Sequence, residues 1–476
     1  MRILILLMLI PGALLAQGSA ALAGHAYYLS TTGNDANPGT SASPWLTPNH
    51  AVNGADILWA SAGTYAQANY EQGNWGTVGT CCAIVRCATF DACKISVTGT
   101  NFGFYVDKSN WSVQGWEVTT TSSGFTAFAA APNSVTPTNI HHVIFANDVC
   151  NGAGGGCFSA FNQSTHSVDY VAFVGNIAYN GAQNNTNCYS GLTIFQPLAS
   201  DSNAGTHLYV GGNFAWHNID PNPCAGVSPD GENGYISDTK DGSQGLGTQY
   251  GQQEYVENNI FVGNGAQGLQ EQSYTANPAV SSPTYWRHNT MWGNLVDTNF
   301  NNNLCVEMLV NKAYSINADH NIAQSAVATA CTSHTTYASY AYDTCGSSIA
   351  NCNSQTALVS AIATNWLYSA SGSGTTTGSF NDETPTPNVF AFGTNSAGGT
   401  PVSPAFTAPA VPGAPSCGAA TSVTDCMSTV IANFVPTAVG ASGFGYQSPT
   451  NTNGSDAQFP KWVCGKVPSG LITASC

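Results

Sequence analysis

An asparagine that returns beside short apolar runs constrains this chain more than any other feature. The runs are Phe145-Ala146-Asn147-Asp148-Val149, Gly175-Asn176-Ile177-Ala178-Tyr179-Asn180 and Gly212-Asn213-Phe214-Ala215-Trp216-His217-Asn218. They continue as Asn258-Asn259-Ile260-Phe261-Val262-Gly263-Asn264, His288-Asn289-Thr290-Met291-Trp292-Gly293-Asn294 and His320-Asn321-Ile322. The first asparagines stand at 147, 176, 213, 259, 289 and 321, so the steps are 29, 37, 46, 30 and 32 residues. A repeat of this length in strand-forming sequence is the signature of a solenoid. Each coil of a parallel β-helix lays short strands on those of the coil before it, about 4.8 Å away. Its tight bends need left-handed backbone, which favours Asn and Gly. Asn amides at the same bend of successive coils both donate and accept, so they can bond up the stack. Unequal steps then mean loops of different length outside a constant coil. The sequence therefore predicts an all-β chain folded as a right-handed parallel β-helix. A sandwich or barrel with Asn-rich turns is the rival.

A second line of register lies between these runs. Gly231-Glu232-Asn233-Gly234-Tyr235-Ile236-Ser237-Asp238 matches Gly265-Ala266-Gln267-Gly268-Leu269-Gln270-Glu271-Gln272. The match sets Ser237 over Glu271 and Asp238 over Gln272, and predicts Glu307 in the Asp238 column of the next coil. A slip of one residue would turn every side chain to the other face.

Arg2, the apolar run 3–10 and Ala21-Leu22-Ala23 form a charged start, a short apolar core and a small-residue cleavage site. This is the pattern of a secretory signal over residues 1–23, and the run is too short for a membrane span. Of the 16 cysteines, twelve sit close in sequence, at 81, 82, 87 and 93, at 150 and 157, at 345 and 352, at 417 and 426, and at 464 and 476. Local disulfides are the expectation for a chain outside the cytosol, extracellular or periplasmic, with a zinc site at 81–93 as rival. Only 7% of residues are charged and the net charge is −16, which excludes a basic nucleic-acid surface. With 43% hydrophobic residues the chain is not an acidic disordered one. The β-helix is expected over residues 24–380. Residues 381–476, with a short helix near 425–434, read as a disulfide-stapled cap or wrap-around extension.

The start of the mature chain carries Tyr27-Tyr28-Leu29-Ser30-Thr31-Thr32-Gly33-Asn34-Asp35-Ala36-Asn37-Pro38-Gly39-Thr40, then Gly54-Ala55-Asp56-Ile57 and Gly63-Thr64-Tyr65. In these residues it resembles the extracellular right-handed β-helix proteins of the pectate-lyase-like superfamily. The resemblance runs through the Asn-bearing coils to about residue 330. It implies an N-terminal cap with a first coil, and a polysaccharide as the partner. It names no substrate: the Asp-Asp-Gly motif of the lyases is missing, as are the aspartate motifs of the pectin hydrolases.

Charge itself points to a place for chemistry. Ten of the 25 acids fall between 230 and 319, as do three of the nine basic residues, Lys240, Arg287 and Lys312. Charge gathered in a chain that otherwise avoids it marks a candidate site. The resemblance implies a lyase that removes the proton beside a uronate carboxylate, with a Lys or Arg base and calcium on acidic oxygens. On that reading Lys240 is the base, with Arg287 as rival or carboxylate clamp and His288 as a further acid–base group. Asp230, Asp238, Asp241 and Glu271 are the calcium ligands. Tyr250, Tyr274, Trp292 and Lys312 bind the sugar chain. The second reading is a glycoside hydrolase using Asp238 with Asp241 or Glu271. The third is a glycan-binding protein without catalysis. The chain is expected to act as a monomer, with no membrane or nucleic-acid partner.

Overall fold

The apolar runs fold into pairs of short strands on either side of each asparagine bend. The chain was described from a computed structural model covering residues 24–121, 124–184, 188–221, 231–242, 246–272, 283–297, 306–311, 316–325, 337–342, 364–369, 380–382, 403–447 and 459–468. The expected signal at 1–23 lies outside them. One coil shows the plan. Val168–Val174 bends at Gly175-Asn176 into Ile177–Tyr179, crosses to Leu192–Phe195 on a second sheet, and returns as Thr206–Gly211. Each strand then pairs in parallel with its counterpart one coil on: Val171 with Leu208, Ile177 with Phe214, Leu192 with Tyr235. Repetition builds a sheet of nineteen strands and a sheet of nine among the described residues, and this is a parallel β-helix.

The asparagines do what the repeat predicts. The backbone N–H of Asn176 donates to Oδ1 of Asn213 at 2.9 Å, Asn213 to Asn259 at 2.9 Å, Asn259 to Asn289 at 3.1 Å, Asn289 to Asn321 at 3.0 Å, and Asn321 to Asn365 at 3.1 Å. Each side-chain amide also donates to the next Oδ1 and to a carbonyl of the coil before, as Asn259 does to Val210 at 3.0 Å. The residue ahead of each ladder position is left-handed: Gly175, Gly212, Asn258, His288 and His320 all have φ between 52° and 69°. One expectation is corrected. Asn147 takes that left-handed place (φ 60°), and Asp148 holds the ladder position, accepting from Trp116 N–H at 2.9 Å.

A second ladder runs at the next corner, from Asn218 to Asn264 to Asn294, and ends on Glu307, whose carboxylate accepts from Asn294 N–H at 3.1 Å and from its Nδ2 at 2.5 Å. This corrects the column predicted for Glu307. Ser237 does stand over Glu271 and Asp238 over Gln272, but Met308 registers on Leu269, so Asn311 continues the Asp238 column. The longer connection into that strand shifts the register, and Glu307 falls at the corner.

Alternation fills the interior. Phe104, Phe128 and Phe158 point inward from the second sheet as a stack, with centroids 5.4 and 4.6 Å apart. Outside the first sheet, the strand column Ile177, Phe214 and Ile260 is covered by Phe406, Val423, Met427, Phe434 and Phe444 of the C-terminal extension. Val463 and Trp462 cover a neighbouring face at Ile144, Ala172 and Tyr209. The described parts of the extension thus wrap the sides of the coils. Its helix is two short ones, Val423–Cys426 and Ser428–Asn433. The last described strand, Phe380–Asp382, spans the expected 380/381 boundary. Cys81–Cys82, Cys87–Cys93, Cys150–Cys157 and Cys417–Cys426 are disulfides, so the zinc alternative at 81–93 is set aside.

Candidate functional site

The charged window divides into groups inside the coil and groups outside it. Strand alternation decides which is which. Tyr235, Ser237 and Glu271 point inward from the second sheet, while Glu254 and Thr284 point inward from the first. Lys240, from the turn after Tyr235–Asp238, reaches in between them. Its Nζ lies 2.5 Å from Glu254 Oε2, 2.7 Å from Glu271 Oε1 and 2.7 Å from Thr284 Oγ1. Ser237 Oγ donates to Glu254 at 2.9 Å, and the Tyr235 hydroxyl donates to it too. All these groups are buried. Burial opposes the Lys240 charge, but Glu254 and Glu271 outweigh it and hold the ammonium above its ordinary range. Burial pushes the Glu271 carboxyl up against the pull of Lys240.

This arrangement corrects the base assigned to Lys240. A base must shed its proton, and here two glutamates hold it on. Arg287 lies on the opposite side of the wall. It points outward beside Asp319 (3.2 Å) with its guanidinium over Tyr255 and Tyr285, 5.5 and 5.3 Å from the ring centroids. The base and the clamp are therefore separated by the sheet. Asp238 and Glu271 are separated in the same way: Asp238 faces outward, where Thr239 Oγ1 donates to it at 2.6 Å. Asp241 is buried in the following turn. Among the described residues no three His, Cys, Asp or Glu side chains converge as a metal site. Glu271 is held by Lys240, and Asp230, the fourth expected calcium ligand, lies outside the described residues.

The sugar-binding expectations move as well. Tyr250 is 1% exposed, and its hydroxyl donates to Asp169 at 2.7 Å. It is a core residue, since its loop folds back over Val168–Val174. Trp292 packs on Phe434 of the extension, centroids 5.7 Å apart. His288 occupies a left-handed bend with its ring stacked on His320 at 5.1 Å. Asp230, Tyr274 and Lys312 lie outside the described residues.

A different acidic group comes together at the corner bordering the second sheet. Glu232 stands three residues ahead of the strand Tyr235–Asp238, with left-handed backbone at φ 72°. Such a conformation is costly for a residue with a Cβ and is retained where the surroundings impose it. Its N–H donates to Tyr189 O at 3.3 Å and its carbonyl accepts from Ala266 N–H at 3.1 Å. The carboxyl lies against Gly265, where an added Cβ would meet Oε2 at 2.0 Å and displace it. Asp220 lies on the same connection between Phe214–Trp216 and Tyr235–Asp238, Asp297 stands at the corner after Thr290–Trp292 two coils on, and Glu232, Asp220 and Asp297 are all buried. Burial first, then the charges of Asp297 and Asp220, push Glu232 up to about 9. No donor among the described residues reaches its Oε2. Burial and the neighbouring acids favour the protonated form of Glu232, which is what a proton donor needs.

Sequence reasoning counted Glu232 among the clustered acids and passed over it for Asp230 and Asp238. A signal was present: Asp220 and Asp297 closely follow the ladder residues Asn218 and Asn294, so the coil brings both to one corner.

What the fold and this corner define is a parallel β-helix carrying a buried carboxyl cluster. No protein-family model matches the chain, and no curated protein matches it. Among solved structures it is similar to a rhamnogalacturonan lyase, at 16% identity and a TM-score of 0.44 over 67% of this chain and 82% of that one. It is also similar to pectate lyase Pel9A, at 17% and 0.34 over 62% and 78%. A third is the A-module of the Azotobacter vinelandii mannuronan C-5 epimerase AlgE4, at 13% and 0.32 over 60% and 85%. At these values the likenesses name no activity here, and the fold rests on the strand pairings above.

Proposed function

We propose that this chain is an extracellular or periplasmic carbohydrate-active protein that hydrolyses glycosidic bonds at Glu232, Asp297 and Asp220. The observation that carries the reading is Glu232, a buried carboxyl pushed up to about 9 by burial and by the two acids beside it. Glycoside hydrolysis needs one carboxylic acid to protonate the leaving oxygen and one carboxylate to activate water. Glu232 gives its proton to the glycosidic oxygen as the bond to the anomeric carbon breaks. Asp297 or Asp220 takes a proton from the water whose oxygen attacks that carbon. Glu232 then recovers its proton from solvent. A β-eliminating lyase is the weaker reading because its candidate base, Lys240, keeps its proton. The disulfides suit an oxidising compartment.

The test is release of reducing ends from a panel of neutral and uronate glycans, with Glu232→Gln and Asp297→Asn beside the native chain. Hydrolysis is expected to fall by about 10²-fold or more in each variant. In the native chain it should decline as pH rises through about 9, where Glu232 loses its proton. Undiminished hydrolysis by Glu232→Gln overturns the assignment.

A further inference from the structure

The outward face of the first sheet is open on the first coils. Tyr28, Trp59, Arg86 and Gln114 are register partners on the successive strands Ala26–Leu29, Ile57–Ala60, Ala83–Cys87 and Trp111–Gln114. Their chain neighbours Leu29, Leu58 and Val85 fill the core, so this column points outward. Its far end is covered: Gln114 is buried, and its Nε2 donates to the Lys466 carbonyl of the extension. Tyr28 and Trp59 are partly exposed, and with Ser30, Ser41, Pro44 and Ser61 they line an open cleft of about 460 Å³. Ser41 and Pro44 belong to a loop that folds back on the first strand. Tyr28 N–H donates to Gly39 O at 2.9 Å, and Trp45 N–H donates to Tyr28 O at 2.9 Å, which fixes that wall.

A guanidinium adjoins the cleft. Arg86 lies over the Trp59 ring, 5.4 Å from its centroid. Its Nε donates to Gln114 Oε1 at 2.7 Å and its Nη2 donates to the same oxygen, which leaves Nη1 open. Of the two described arginines, Arg287 faces Asp319, and Arg86 pairs with no carboxylate among the described residues. Asp91, the acid next along the chain, is taken up by Glu117 and Lys94. A partly desolvated charge is ordinarily matched by an opposite one, and the guanidinium fork matches a carboxylate. Net charge −16 opposes an anion at a distance, but that field is screened beyond about 8 Å in physiological salt. The rings and hydroxyls specify what carries the carboxylate. Aromatic faces receive the C–H face of a sugar, and serine hydroxyls both donate and accept, as sugar hydroxyls require. Neighbouring strands lie about 4.8 Å apart, so a sugar on the indole would hold its carboxylate within reach of Arg86.

We infer that the Tyr28–Trp59 cleft is a binding subsite for a carboxylate-bearing sugar, with the ring on Trp59 and the carboxylate on Arg86. The cleft lies on the first two coils, far along the chain from Glu232 and on the other sheet, so it does not rest on the hydrolase reading.

The test is titration calorimetry on the full disulfide-bonded chain, with oligogalacturonates against xylo- and cello-oligosaccharides of equal length. Oligogalacturonates should bind, more weakly as salt rises, and the neutral series should bind about 10-fold more weakly or not at all. Arg86→Gln should weaken oligogalacturonate binding about 10- to 100-fold, and Arg86→Lys should recover part of it. Tyr28→Ala leaves the hydrogen bonds of Arg86 intact and should weaken binding about 2- to 10-fold. Glu232→Gln should bind oligogalacturonates as the native chain does. No binding of oligogalacturonates, equal binding of the neutral series, or unchanged binding in Arg86→Gln or Tyr28→Ala overturns the inference. Binding lost in Glu232→Gln places the sugar at the carboxyl corner and overturns it too. Binding as expected with no hydrolysis of any glycan supports the cleft and overturns only the hydrolase.

Discussion

Removing one amide from the ladder tests the architecture most directly. In Asn259, Oδ1 accepts from Asn213 N–H at 2.9 Å and from Asn213 Nδ2 at 3.0 Å, while Nδ2 donates to Val210 O at 3.0 Å and to Asn289 Oδ1 at 2.8 Å. Asn259, Asn213 and Asn289 are fully buried. Asn259→Ala deletes four hydrogen bonds at once and strands the partner groups away from solvent. Each net bond is worth about 1 kcal/mol, and each orphaned buried group costs about 1–3 kcal/mol, so the loss is about 3–6 kcal/mol. A solenoid opens locally, because each coil touches only its neighbours. The assay is therefore denaturant unfolding together with amide exchange in Thr206–Gly211 and Gln253–Glu257, which should lose protection first. Asn259→Asp gives a second reading. A carboxylate accepts but does not donate, so the variant should be weaker at pH 7 and partly recover at low pH, where a protonated oxygen donates again. A loss below about 1 kcal/mol in Asn259→Ala would refute the view that the ladder holds the coils in register.

Three further outcomes follow from the same physics. Burial raises the carboxyl of Asp148 well above its ordinary value, and Glu307 goes up to about 8 for the same reason. Folding therefore favours the protonated acids, and their stabilisation is full below their unfolded pKa near 4 and lost as pH rises through the folded values. Asp148→Asn and Glu307→Gln should unfold at higher temperature than the native chain at pH 8 and match it near pH 3. Lys240→Met leaves Glu254 and Glu271 buried without their cation and should cost about 3–5 kcal/mol at neutral pH, with part returned on acidification, read by denaturant unfolding. Glu232→Gln removes a proton that the fold must otherwise retain, so it should stabilise the chain by on the order of 1–3 kcal/mol at pH 8 while abolishing hydrolysis. An inactive Glu232→Gln that is also less stable would place Glu232 in the frame of the corner rather than in the chemistry.

The sequence by itself determined the solenoid, its bends and most of its register. A strand has a side-chain period of two, so a bend residue that recurs must return to one place on every coil. The pairings Ser237–Glu271 and Asp238–Gln272 were legible for that reason. Asn147 and Glu307 were misplaced where a neighbouring acid could fill the ladder or a longer connection moved the strand. Tertiary structure alone decided the site. Lys240, Asp238, Glu271 and Arg287 are close in sequence, but alternation puts Asp238 and Arg287 outside the wall and Glu271 within it, while the turn carries Lys240 inside. Glu232 and Asp220 share one connection, but Asp297 is far along the chain and joins them only because stacked coils share one corner. Coil closure sets that juxtaposition, and the intervening loops vary too much in length for sequence spacing to reveal it.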